Sequence, residues 1–282
     1  MTPAELSAAA AAWQQQGRAA VVVWIREHRG SVPRETGTRM VVAAEQFLGT
    51  IGGGHLELRA IEQARGMLKT AAGIESGADR EPAANTEPVR QRIALGPSLG
   101  QCCGGDLQLQ YTLLQQEDLA TWTTPPPRFM LQLYGAGHVG RAIVHLLRGL
   151  HCEVQWIDER ESEFPTEALP SHIQRVCVEP VEAEVALAPP GAFYLVLTHS
   201  HALDLALTQA ILSRGDFGYF GLIGSASKRA RFERRLRDGG HSPELLSRMV
   251  CPIGIAGING KEPEVLAVAV VAQLLQQKPA AA

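Results

Sequence analysis

No run in this sequence is long and apolar enough to cross a bilayer. Its first stretch, MTPAELSAAAAAWQQQGRAAVVV, has no basic segment ahead of an apolar run, so no signal peptide is expected. Excess charge is absent too. The 26 Lys and Arg against 29 Asp and Glu leave a net −3, which gives no general attraction to nucleic acid or to an anionic membrane. Cysteine is sparse: five in 282 residues, odd in number and unevenly spaced, unlike a secreted disulfide framework. No C-x-x-C pair and no internal repeat occurs. These absences point to a cytoplasmic protein with reduced thiols.

What is present is an ordinary globular composition, 45% hydrophobic and 20% charged, in a chain long enough for two domains. Residues 4–17, rich in Ala and Gln, predict a helix. Arg18–Arg26 and Arg39–Ala43 read as strands, the first carrying the β-branched run Val21–Val23. A short strand, a glycine turn and a helix over His55–Lys69 follow. Residues 71–90 read as a polar surface loop, and GGDLQLQYTLL alternates like a strand. The prolines at 125–127 mark the boundary between domains at 1–124 and 125–282, since they can continue neither a helix nor an interior strand. Beyond them, strand and helix alternate regularly: strands at Phe129–Tyr134, Cys152–Ile157 and 193–197, and helices at 138–149, 203–214, 226–238 and near 263–277. That alternation predicts a C-terminal Rossmann-like, doubly wound parallel sheet behind an N-terminal mixed α/β domain.

Gly135-Ala136-Gly137-His138-Val139-Gly140 is a G-x-G-x-x-G turn between a predicted strand and a predicted helix, and Asp158 ends the next strand about 20 residues on. Such a turn offers backbone amides and a helix N-terminus to a phosphate, and Asp158 is placed to accept from a ribose hydroxyl. The alternative is that the glycines serve only the turn. Thr198, His199, His201, Ser225 and Lys228 follow later strands and are expected at the same sheet edge, crowded around the Gly135 loop. His199 and His201 are metal-ligand types without an evident third ligand, so hydrogen bonding or loop capping is the other reading. Arg229, Arg231, Arg234, Arg235 and Arg237 read as a solvated helix face.

The adjacent thiols Cys102 and Cys103 lie in GPSLGQCCGG. Four readings stand: a zinc site without the usual second cysteine pair, a strained vicinal disulfide, buried small hydrophobes, or a reactive thiol opened to a ligand by the glycines. Cys152 and Cys177 lie in apparent strands and are expected in the core. Cys251, before Pro252, is expected to be structural. Gly52, Gly53 and Gly54 precede His55 and Glu57 at a helix start, either as an anion pocket or as a plain strand-to-helix turn. Arg34 and Arg39 read equally as phosphate partners or surface residues.

Taken in order, GSVPRETGTRM (Gly30–Met40), GTIGGGHLE (Gly49–Glu57), GQCCGG (Gly100–Gly105), YGAGHVG (Tyr134–Gly140), THSHALD (Thr198–Asp204) and GLIGSASK (Gly221–Lys228) resemble the XdhC/CoxI family. These are accessory proteins of xanthine dehydrogenase and related molybdenum hydroxylases, and the resemblance covers nearly the whole chain. Lys261 departs from it, standing where a small or hydroxyl residue is expected. The resemblance implies a chaperone rather than an enzyme. Such a protein binds molybdenum cofactor (molybdopterin), shields it during sulfuration and passes it to apo-xanthine dehydrogenase, with a cysteine desulfurase as sulfur source and a homodimer as the expected assembly. It implies Cys102 facing molybdenum and Cys103 as the second reactive thiol. Gly52, Gly53, Gly54, Glu57, Gly135, Gly137, His138, Gly140, Asp158, His199, Ser225 and Lys228 are then the cofactor-binding set. A single pterin reaching both domains, or a nucleotide in the Rossmann-like one, follows as an expectation. The competing reading from another class is an NAD(P)-dependent oxidoreductase using the Gly135–Gly140 loop.

Overall fold

The computed structural model describes residues 1–73, 87–96 and 104–277. Cys102 and Cys103 therefore lie outside the described residues. The chain divides into two compact units, Met1–Pro125 and Pro126–Ala282.

In the first unit, α1 (Pro3–Gln15) starts at a capping box in which Thr2 and Glu5 bond each other's backbone N–H groups. It buries Leu6, Ala10 and Trp13, one helical face. An antiparallel sheet follows, built from β1 (Ala20–Arg29), β2 (Arg39–Ala43), β3 (Phe47–Gly49), β4 (Val89–Ala94) and β5 (Asp106–Leu113), in the order β3-β2-β1-β5-β4. Both faces are covered, which accounts for the unbroken apolar run in β1. Val21, Val23 and Ile25 pack on α2 (Gly54–Ala71) through Leu56, Ala60 and Ala64, while Ala20 and Val22 pack on α1.

The second unit holds a six-stranded parallel sheet: β6 (Met130–Tyr134), β7 (Glu153–Asp158), β8 (Ile173–Cys177), β9 (Phe193–Val196), β10 (Tyr219–Leu222) and β11 (Met249–Val250). Its order is β11-β10-β9-β6-β7-β8. The chain starts mid-sheet, runs outward to β8, then returns to β9 beside β6, so the strand order reverses between β6 and β9. One face packs on α3 (His138–Leu147) and α7 (Pro263–Gln276) around Leu131, Leu133, Val154, Leu195 and Val270. The other packs on α4 (His201–Arg214), α5 (Ala226–Asp238) and α6 (Pro243–Ser247) around Tyr134, Val196, Leu207, Phe220 and Phe232. A fully buried Gln132 sits in the sheet with its amide satisfied by Gln155, the carbonyl of Glu184 and the Tyr134 hydroxyl. The fold class is thus the mixed α/β plus Rossmann-like arrangement expected. Cys177 is a correction: it is exposed at the end of the edge strand β8, whereas Cys152 and Cys251 are buried. Among the described residues no helix is long and apolar enough to cross a membrane.

Candidate functional site

Three helices of the second unit begin just beyond the carboxyl ends of the strands: α3 after β6, α4 after β9 and α5 after β10. The first-turn N–H groups of a helix have no partner within it. Two of the three helices find a side-chain acceptor in their own cap. The Ser200 hydroxyl accepts from Leu203 N–H at the start of α4, and the Ser225 hydroxyl from Lys228 N–H at the start of α5. The cap of α3 is Gly137, which has no side chain to offer.

The glycines of this turn are there for different reasons. Gly135 has φ +120°, and a Cβ on it would collide with the carbonyl oxygen of Leu197. A Cβ on Gly140 would collide with the carbonyl oxygen of Gly135, so this glycine lets the helix sit against the strand end. Gly137 has φ −68°, which any residue adopts, and a Cβ there would meet no atom within 4 Å. Packing does not require glycine at 137. What glycine preserves is open space beside a helix start that has no side-chain cap.

The turn is held from the neighbouring strand. Gly135 N–H donates to Ile157 O at 2.8 Å, and the buried Trp156 indole donates to Gly135 O at 3.1 Å. Ala136 N–H donates to Asp158 Oδ2 at 2.7 Å. Asp158 is buried and also accepts from Arg160: Oδ1 from the backbone N–H and Nε, each at 3.0 Å, and Oδ2 from Nη2 at 3.0 Å. Burial alone would push this carboxyl up, but the hydrogen bonds from Arg160 and Ala136 outweigh it and hold it below the usual carboxylate range.

A cavity of about 300 Å³ opens between the starts of α4 and α5, lined by Thr198, His199, His201, Asp204, Ser225 and Lys228 among others. Its floor is an ion pair. The buried Lys228 ammonium donates to Asp204 Oδ2 at 2.5 Å and to Ile223 O at 2.7 Å, while Asp204 Oδ1 accepts from the backbone and hydroxyl of Thr198. His199 Nε2 lies 3.7 Å from Glu159 Oε1. Among the described residues no group of three or more His, Cys, Asp or Glu could hold a metal ion. Thr198, His199, His201, Ser225 and Lys228 line this one cavity, and Thr198 and His199 also lie beside Gly135 and Asp158, but Lys228 is engaged by Asp204 rather than free toward a ligand. His138 opens α3 directly after Gly137. Burial pushes the Cys251 and Cys152 thiols up, Cys152 to about 12.

In the first unit the glycine-rich segments leave one end of the sheet. The 30–38 turn joins β1 to β2, residues 50–53 join β3 to α2, and the segment containing the adjacent cysteines is entered after β4 and left before β5. Gly52 lies against Pro33, and Gly105 against Arg29 and Ser31, donating to the carbonyl of Ser31. Gly52, Gly53 and Gly54 all have positive φ. Glu57 turns back on this loop, its Oε2 accepting from Thr50 Oγ1, Ile51 N–H and Gly53 N–H. Arg39 stacks on Trp24 and Trp122 and bonds the carbonyl of Gly37, while Arg34 is exposed.

A Rossmann-type domain with a glycine-opened helix over its strand-order reversal is therefore the class of structure at hand. Residues 131–274 match the family model described as the XdhC Rossmann domain, and residues 13–76 match that of the XdhC and CoxI family. The chain belongs to the XdhC and CoxI family. It is 28% identical over 274 residues to Escherichia coli YqeB, named an uncharacterized protein, covering 95% of this chain and 45% of that one. It is 29% identical over 156 residues to a Bacillus subtilis protein named as a probable subunit of xanthine dehydrogenase, covering 55% of this chain and 44% of that one. The chain thus spans about half the length of these curated relatives. A crystal structure described as a xanthine dehydrogenase from Bacillus halodurans superposes with a TM-score of 0.73 at 17% identity, over 98% of this chain and 96% of the other, which shows a common fold.

Two residues of the site escape a reading by motif. Asp204 lies within THSHALD but carries no spacing signal of its own, and its partner Lys228 is 24 residues away. Arg160 sits two positions after Asp158, and only the tertiary turn reveals that it closes on that carboxylate.

Proposed function

We propose that this chain is an accessory protein of a xanthine dehydrogenase-type molybdenum hydroxylase. It binds molybdenum cofactor, keeps it from solvent while its terminal ligand is exchanged for sulfur, and delivers it to the apo-enzyme. The observation that supports this most directly is the open space at Gly137 before the uncapped amides of α3, a place for the phosphate of a pterin cofactor. Family membership and the name of the Bacillus subtilis relative support the choice of partner. In this reading the Gly52–Gly54 loop receives part of the cofactor. Cys102, with Cys103 beside it, supplies a soft thiolate toward the metal. The cofactor, once installed, supplies redox chemistry to the hydroxylase; this chain binds and orients. A cysteine desulfurase as sulfur donor, a homodimeric state and a cytoplasmic location belong to the same proposal.

Co-production of apo-xanthine dehydrogenase with and without this chain tests it. Hydroxylase activity and sulfurated cofactor should depend on the chain, and full activity in its absence would contradict the role. A second reading, an NAD(P)-dependent oxidoreductase, is favoured by the sheet order with its G-x-G-x-x-G turn. Hydride transfer from NADH to any acceptor by the purified chain would favour it.

A further inference from the structure

In dinucleotide-binding Rossmann domains the acidic residue ending the second strand accepts hydrogen bonds from the ribose. Asp158 occupies that place at the end of β7, but its carboxylate is full. An ionised carboxylate has about four lone-pair positions, and four N–H groups of this chain occupy them: Ala136 N–H and Arg160 Nη2 on one oxygen, Arg160 backbone N–H and Nε on the other. The Asp158 side chain is 4% exposed and that of Arg160, which bonds it, 34% exposed. Arg160 does not become a free phosphate ligand in exchange, because its remaining Nη1 points to Glu163 at 3.4 Å.

We infer that Arg160 is a specificity-determining residue: it caps Asp158, removes ribose recognition, and leaves the Gly135–Gly140 turn to anionic ligands that are not held through a ribose diol. Asp158 becomes a positioning residue for the turn through Ala136. The ligand class this favours is a phosphomonoester of a non-nucleoside, and dinucleotides held through a free ribose diol are disfavoured. Nucleotide discrimination by Arg160 stands whether or not the domain carries molybdenum cofactor.

Calorimetric titration of the full chain with ADP and with 2′-deoxy-ADP tests it. The wild type should bind the two equally within twofold, or bind neither. Arg160→Ala should gain about tenfold in affinity for ADP and nothing for 2′-deoxy-ADP, the effect expected of one charge-assisted hydrogen bond. Arg160→Met, which keeps the apolar stem, serves if the alanine variant melts early. A wild type that prefers ADP tenfold over its deoxy analogue would overturn the inference. So would folded Arg160 variants that gain no ribose-dependent affinity.

Discussion

Gly137 and Gly140 are one residue type three positions apart, yet opposite outcomes follow from substituting them. Gly140→Ala drives a Cβ into the Gly135 carbonyl and should cost about 1–3 kcal/mol, the range for overpacking a tight contact. A Cβ at 137 would meet no atom within 4 Å, so Gly137→Val should lose only the helix-cap preference of glycine over valine and melt above Gly140→Ala, while the space before α3 is filled. Urea melts of the two variants check this, and a Gly137→Val protein as destabilised as Gly140→Ala would show that the glycine is needed for packing. Asp158 makes a second residue-scale prediction, in pH. Its folded carboxyl is depressed by Arg160 and the Ala136 amide, so the unfolded chain binds this proton more readily. The stability it lends is present above the ordinary aspartate value of about 4 and is lost as pH falls through the lower folded value. Arg160→Met should flatten that acid limb, measured as melting temperature between about pH 5 and about pH 2. An unchanged slope would show that Arg160 does not hold the carboxyl down.

At the level of elements, the buried Lys228–Asp204 pair ties α5 to α4 across the ends of β9 and β10. Lys228→Met strands a buried carboxylate and should cost about 3–5 kcal/mol, whereas Asp204→Leu combined with Lys228→Met should recover most of it. Equal destabilisation by the single and double variants would show that the pair is not what matters there. The same elements show how far the sequence could be read. β5 and α5 were legible because their apolar positions repeat with the period of the element, and β1 and β2 because short β-branched apolar runs lie next to glycine turns. β4 fell partly in the expected 71–90 loop because it is an edge strand with mostly exposed side chains, so no alternation marks it. β8 misled in another way: Cys177 looked like core in an apparent strand, but an edge strand leaves its end open. α6 and β11 are too short for any periodicity. At the site, the glycine turn was legible from spacing. That Gly137 faces open space while Gly135 and Gly140 face carbonyls was not, because those carbonyls come from Leu197 in a distant loop and from the fold of the turn itself.

In the whole molecule, two units with separate cores each gather their glycine-rich loops at one end of a sheet. The second unit combines a bare helix start with a closed ribose position, which suits a phosphate carried by something other than a nucleoside. The most direct measurement is molybdopterin and molybdenum content after anaerobic purification from a molybdate-supplied host, with wild type and Gly137→Val compared side by side. Pterin is read as its fluorescent oxidation product. Wild type should carry pterin and molybdenum in comparable molar amounts, and Gly137→Val should carry far less while remaining folded. Wild-type protein devoid of pterin under these conditions, or a Gly137→Val protein loaded to the same level, would contradict it.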